Sequence, residues 1–422
     1  MSKITSSGSD QFQLLLDRQM KAYGSPGNIG RILLEVKGDF LPSLLENKLN
    51  SQIAKEIYQL RYRYRWLREG SYWVNEQHGG SCNLARHVIK QEKLLDHLPL
   101  SEFDLQKSKL YKFYWISHKD KQYIMLAWHH LLFDARGAEH FIKFLAGVID
   151  EIDPAECFPT FQKIAVKDAM LGARDFKAYL MREKGLPIDT LIRTPMANPP
   201  VIRYKTILFS ETDTQAIHEH ASSLIRLMKS PFYLACCATV VRSIMEKRKI
   251  DFTSLLMPVP QDQRKRGSIK PLVGNSISYL FFRLKKEEFD SLEATVKNLS
   301  AQMMEQVKIK LPAKYAGMMH VFKRTPLSFY NYLTKGPTKG KFASFFFSDT
   351  GLSTVDKVDD NHIDILDMIH LPPPNTFPGL TIVFSQFLKR IKITVCHTED
   401  TLTTEEFDYF QDKIKELLIG NF

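Results

Sequence analysis

Along this chain, apolar runs of strand length alternate with segments whose apolar residues recur three to four positions apart. Tyr123-Ile124-Met125-Leu126-Ala127-Trp128 is one such run, and Ala138, Phe141, Ile142, Leu145 and Val148 follow it at helical spacing. Together they predict a strand that turns into a helix. Downstream, the alternation of Val201 to Phe209 predicts a half-buried strand, Thr212 to Ser223 a helix, and Pro231 to Glu246 a long apolar helix. Ser276 to Leu284 and Leu380 to Phe387 read as further strands, and Leu49 to Leu60 as an early helix. Between the two series, Gly185-Leu186-Pro187 through Pro195, Asn198, Pro199 and Pro200 is rich in helix breakers and predicts a connection. With 422 residues the chain exceeds the size that one core usually serves. The pattern therefore predicts an α/β protein with mixed sheets flanked by helices, in two halves. Residues 1–185 form the first, 186–200 a linker, and 201–422 the second.

The predicted strand-to-helix junction carries the densest chemistry, in Trp128-His129-His130-Leu131-Leu132-Phe133-Asp134-Ala135-Arg136-Gly137. Successive side chains of an extended segment point to opposite faces, so His129 and His130 must have different surroundings. One imidazole can line a cavity as a general base, since its ordinary pKa of about 6.5 suits proton transfer near neutrality. The other can pack and hydrogen-bond. Asp134, past the turn, can pair with an arginine or cap the helix that starts near Arg136.

This segment resembles the His-His-x-x-x-Asp-Gly motif of the acyltransferase superfamily. That group includes chloramphenicol acetyltransferases, peptide-synthetase condensation domains, wax ester synthases and alcohol acetyltransferases. Here it reads HHLLFDA, with Ala135 where glycine is usual and where only glycine tolerates positive φ freely. A second match lies in Met257-Pro258-Val259-Pro260-Gln261-Asp262-Gln263-Arg264 and Val273-Gly274-Asn275-Ser276, and a third in the Phe347-Ser348-Asp349-Thr350-Gly351 turn, where the family's ester-forming branches carry asparagine in place of Asp349. Trp66-Leu67-Arg68 is similar to part of the family's opening strand, helix and strand. No Asp-Phe-Gly-Trp-Gly is present, which separates the chain from the plant-type branch. The resemblance implies two chloramphenicol acetyltransferase-like halves in a V-shaped pseudo-dimer with a central tunnel and the histidine motif midway. It implies His130 as the catalytic base, His129 and Asp134 as structural, and Arg264 as the partner of Asp134 from the other half. Backbone amides near Gly137, Asn275 and Ser348 are candidate oxyanion donors or substrate-positioning groups.

Composition narrows the rest. An apolar content of 44% with 25% charged residues suits a folded protein with sizeable cores. A net charge of +11 favours anionic partners, among them coenzyme A phosphates, an acidic acyl carrier protein, an anionic membrane surface or nucleic acid. Arg61-Tyr62-Arg63-Tyr64-Arg65-Trp66 interleaves arginines with aromatics, yet no nucleic-acid motif accompanies it, and it reads as apolar rings packed inward below wet arginines. The first ten residues lack the apolar run of a signal peptide, and no stretch reaches roughly 18 uninterrupted apolar residues, so a cytoplasmic protein is expected, with peripheral membrane contact as one partner mode. Cys82, Cys157, Cys236, Cys237 and Cys396 show no metal-like spacing and read as buried thiols. His129, His130, Asp134, Glu139 and His140 do not match the spacing of known metalloprotease sets, and no Gly-x-Ser-x-Gly elbow appears, so neither a metal site nor a serine hydrolase is expected.

The resemblance and the charge lead to one expectation: a monomeric, thioester-dependent acyltransferase without a resident cofactor. Its donor would be acyl-coenzyme A or an acylated phosphopantetheine carrier, and its acceptor a small-molecule or lipid hydroxyl. An amide-forming condensation and a catalytically silent protein that binds a carrier or acyl chain are the alternatives.

Overall fold

A computed structural model of the chain describes residues 3–5, 7–37, 42–50, 60–63, 72–75, 84–105, 110–145, 164–182, 185–193, 199–226, 228–264, 274–323, 325–335, 341–355, 364–375 and 377–420. Trp66-Leu67-Arg68, Cys82, Cys157, most of the lysine-rich 335–341 segment and part of the proline-rich connection lie outside the described residues. The strands are β1 (Lys3–Thr5), β2 (Ile29–Lys37), β3 (Leu60–Arg63), β4 (Tyr72–Asn75), β5 (Ala85–Ile89), β6 (Tyr111–His118), β7 (Lys121–His129), β8 (Ile202–Leu208), β9 (Ser254–Asp262), β10 (Ile277–Lys285), β11 (Phe346–Leu352), β12 (Asp364–Leu371), β13 (Leu380–Phe387) and β14 (Arg390–Thr398).

Two mixed sheets with helices against them make up the α/β architecture. The first runs β12-β2-β7-β6-β5, antiparallel except for the parallel β5–β6 pair, and the second runs β11-β13-β14-β8 with β11 parallel to β13. The apolar run at 123–128 forms the middle of β7, a central strand with both neighbours paired, which explains why it is apolar throughout rather than alternating. The helices predicted near Thr212 and Pro231 span Glu211–Leu224 and Ser230–Lys247, and the second of these is buried on most sides in the core of the C-terminal part.

Several features go beyond the expectation along the chain. Strand β12 belongs in sequence to the second half but pairs antiparallel with β2, so it completes the sheet of the first half. Leu60, read as the end of an early helix, instead opens β3 with Arg61, Tyr62 and Arg63, paired with β4, while residues 51–59 of that predicted helix lie outside the described residues. The N-terminal segment forms a helix, Gly8–Ala22, capped by a reciprocal Ser7–Asp10 box. Leu15 of that helix shares a core with Phe176, Leu311, Tyr315, Met319 and Tyr330, tying the N-terminus to helices of the C-terminal part. The connection after Gly185 is anchored too, with Ile188 and Leu191 buried and Asp189 accepting from the amides of Thr253 and Ser254.

Candidate active site

The two histidines sit where β7 ends. His129 pairs with Ile29 as the last strand residue, and the amide of His130 donates to the Asn28 carbonyl at 2.9 Å. A tight turn follows, closed by the Leu132 amide on His129 O and by the Trp128 indole on Phe133 O at 3.0 Å. Gly30 makes room for that indole, because a Cβ there would stand 2.7 Å from a Trp128 ring carbon.

The side chains diverge as alternation requires. His129 is buried; its Nδ1 accepts from the Leu131 amide at 3.2 Å, so its Nε2–H donates to Asp17 Oδ1 at 3.0 Å. Asp17, on the N-terminal helix, also accepts from the Asn28 amide at 2.9 Å and pairs with Lys21 at 2.9 Å. Burial alone would raise its pKa, but the His129 hydrogen bond, the Asn28 amide and Lys21 outweigh that and hold it at about 2. His130 turns instead to the wall of a cavity of about 220 Å³. Its Nδ1 is buried without a hydrogen-bond partner, which leaves Nε2 as the nitrogen able to meet a ligand. Burial pushes its pKa down to about 4, and the nearby Asp134 charge opposes that only in part. At neutral pH the imidazole is therefore unprotonated.

Asp134 joins the two halves of the chain. Arg264 reaches it with both terminal nitrogens, at 2.9 Å each, and also donates to Gly274 O at 2.6 Å. The Ser276 amide adds a 2.8 Å bond to Asp134 Oδ2, and the Gly137 amide donates to Oδ1 at 2.7 Å. Asp134 thus caps the helix Ala135–Leu145 and binds the β9–β10 hairpin at once. Ala135 opens that helix and is not among the residues with positive φ, so the place where glycine is usual imposes no strain on alanine here.

Two of the three candidate oxyanion donors are committed elsewhere. The Gly137 amide is spent on the helix cap. The Asn275 side-chain amide donates to the carbonyls of His130 and Leu131, at 2.7 and 2.9 Å, and so clamps the turn after β7 rather than offering a donor to the cavity. Ser348 does line the cavity, but on β11 and not in a turn: Phe346 to Asp349 pair with β13 and the register shifts before Leu352, with Gly351 at φ +65°. Asp349 beside it is raised in pKa by burial, against hydrogen bonds from Ser230 and the Gly351 amide. The Pro372-Pro373-Pro374 run is partly buried beside the site. Tyr204 donates to Pro372 O at 2.8 Å and Ser25 to Pro374 O at 3.1 Å, and Pro372 and Pro373 line the cavity.

A second buried network lay beyond the motif. Glu139 accepts from His370 Nε2 at 2.9 Å, from Arg136 at 2.7 Å and from the amide and hydroxyl of Thr354. Burial would raise its pKa, but these donors hold it at about 2. Only the i, i+3 spacing of Arg136 and Glu139 hints at this in the sequence; Asp17 and His370 come from distant elements that no local pattern connects. Of the residues considered as metal ligands, His129, Asp134 and Glu139 each bond a different partner: Asp17, Arg264 and His370.

With this geometry in place, comparison with solved structures places the architecture. The chain superimposes on the first condensation domain of the CDA synthetase with a TM-score of 0.69 at 13% identity, covering 98% of this chain and 96% of that one. The chain has the condensation-domain fold. The same fold is seen in the trichothecene 15-O-acetyltransferase of Fusarium sporotrichioides (TM-score 0.68, 11% identity, 99% and 94% covered) and in polyketide synthase associated protein 5 of Mycobacterium tuberculosis (0.63, 11%, 93% and 95%). No family model and no curated protein matches the sequence. Among the described residues, no helix is long and apolar enough to cross a membrane.

Proposed function

We propose that this protein is an acyltransferase that moves an acyl group from a coenzyme A or carrier-protein thioester to a hydroxyl acceptor, with His130 as general base. One observation carries the reading: His130 presents an unprotonated imidazole to the cavity, buried on its Nδ1 side. Its Nε2 takes the proton of the acceptor hydroxyl as the oxygen attacks the thioester carbonyl. The tetrahedral oxyanion collapses with cleavage of the carbon–sulfur bond, and the proton passes from the imidazolium to the departing thiolate. Ser348, which lines the same cavity, would donate to the oxyanion. His129, Asp134, Arg264 and Asn275 hold the turn in place through their hydrogen bonds. The net charge of +11 suits a polyanionic donor or an acidic carrier. Amide formation is the second reading, favoured by the likeness to condensation domains.

The test is release of free thiol from a panel of acyl-coenzyme A and acyl-carrier donors with hydroxyl and amine acceptors, native protein against His130→Ala. Acceptor-dependent release that His130→Ala abolishes supports the transferase and separates ester from amide formation. No release with any donor, despite acyl or carrier binding, would leave a protein that only binds.

A further inference from the structure

We propose that Arg31 anchors an anionic oxygen group, a carboxylate or a phosphate, on the molecule that occupies the cavity beside His130. Arg31 lies on β2, opposite Leu371 of β12 and Ala127 of β7, and lines the same cavity as His130. It is only 3% exposed. Its polar contacts are with neutral groups: Nη1 reaches Pro99 O at 3.5 Å, and the guanidinium sits 4.8 Å over the ring of Tyr204, whose phenol it also meets. Among the described residues Arg31 forms no ion pair within 4.0 Å. The carboxylates on the cavity wall are engaged elsewhere, Asp134 and Asp262 by Arg264 and Asp349 by Ser230 and the Gly351 amide. The ionisable neighbours cannot supply the charge either. Burial raises the Tyr204 phenol far out of the neutral range and the Cys396 thiol to about 12, even though Arg31 pulls both down. By contrast, the other arginines of the site, Arg136 and Arg264, each hold a carboxylate.

A buried guanidinium without a counter-ion is costly, and such charges persist where a partner arrives. The planar fork of arginine matches paired oxygens of carboxylate or phosphate. The apolar Leu371, Pro372 and Pro373 line the cavity with it, and low-dielectric surroundings of this kind strengthen such an attraction. The inference deepens the transferase reading and depends on it only in naming the bound molecule as the acyl acceptor.

The test is calorimetric titration of the full chain with hydroxydecanoate, its methyl ester and decyl phosphate, which reads binding without turnover. The wild type is expected to bind an anion about tenfold or more tighter than the ester, as a charge-assisted bond in a dry site allows. The preference of carboxylate or phosphate identifies the source of the anion. Arg31→Met should abolish the preference while its ligand-free melting temperature stays level or rises, and Arg31→Lys should retain part of it. Equal binding of ester and anion by the wild type, or a preference that survives Arg31→Met, would overturn the proposal. So would failure of Arg31→Met to fold, since the guanidinium would then serve the fold itself. His130→Ala should keep the anion preference, which separates this inference from the transferase reading.

Discussion

Arg264→Ala tests the link between the two halves of the chain. The substitution removes both bonds to Asp134 and strands a carboxylate that is 4% exposed in its side chain. Losing one partner of a buried pair costs about 3–5 kcal/mol. Asp134 would keep the amides of Gly137 and Ser276, which places the cost near the lower end, at about 3 kcal/mol. Unfolding entropy of about 2.1 cal/mol/K per residue over 422 residues gives roughly 0.9 kcal/mol/K, so the melting temperature should fall by about 3 °C. Activity per folded molecule should fall as well, because the hairpin that Arg264 holds also carries Asn275, the clamp on the His130 and Leu131 carbonyls. The decisive assay is a double-mutant cycle with Asp134→Asn, read by calorimetry and denaturant unfolding. Stranding disappears when both charges are gone, so the double variant should be more stable than the sum of the single costs implies, by about 1–3 kcal/mol. Additive energies, or loss of activity in a protein of unchanged stability, would refute the cross-link.

The pH dependence has a definite sign. A His130 base with a pKa of about 4 keeps kcat/KM flat from neutrality down to about pH 5, and an acid limb near pH 6.5 would contradict the buried, unprotonated imidazole. Because the folded pKa lies below the unfolded one, the histidine contributes a loss of stability as pH falls from about 6.5 to about 4. Asp17 and Glu139, both held at about 2, are stabilising above the ordinary carboxylate range and add a second loss as pH drops from about 4 to about 2; acid unfolding of Asp17→Asn should show a smaller second phase. Asp17→Ala leaves the His129 Nε2–H and the Asn28 amide without their shared acceptor and should cost about 2 kcal/mol, with kcat falling more than KM because the strand end carrying His130 loosens; equal loss of both would point to general destabilisation. Gly30→Ala drives a methyl into the Trp128 ring and should cost about 1–3 kcal/mol with a shift in tryptophan emission, since displacement of the indole relieves the clash; an unperturbed spectrum at native stability would show that the turn yields elsewhere.

The local pattern determined much of this protein. The apolar run before His129 and the helical spacing after Asp134 are visible without coordinates, because a central strand and an amphipathic helix each impose a period on their own residues. The same alternation separates the surroundings of His129 and His130, and the motif with its downstream arginine names the pair that meets at Asp134. What tertiary structure alone decided involves partners far apart in sequence. Asp17 meets His129 across 112 positions, Glu139 meets His370 across 231, and β12 crosses to the other sheet, so no window of the chain contains both members of these pairs. The same holds for what is withheld from the cavity. The Gly137 amide and the Asn275 side chain look available in sequence, and only the closed fold shows that each is spent on a neighbour, whereas Arg31, an unremarkable residue in a strand, is left without a counter-ion by the arrangement of everything around it. Hydrogen bonds and ion pairs depend on distance in space, and burial multiplies their weight; both are set by packing rather than by order along the chain.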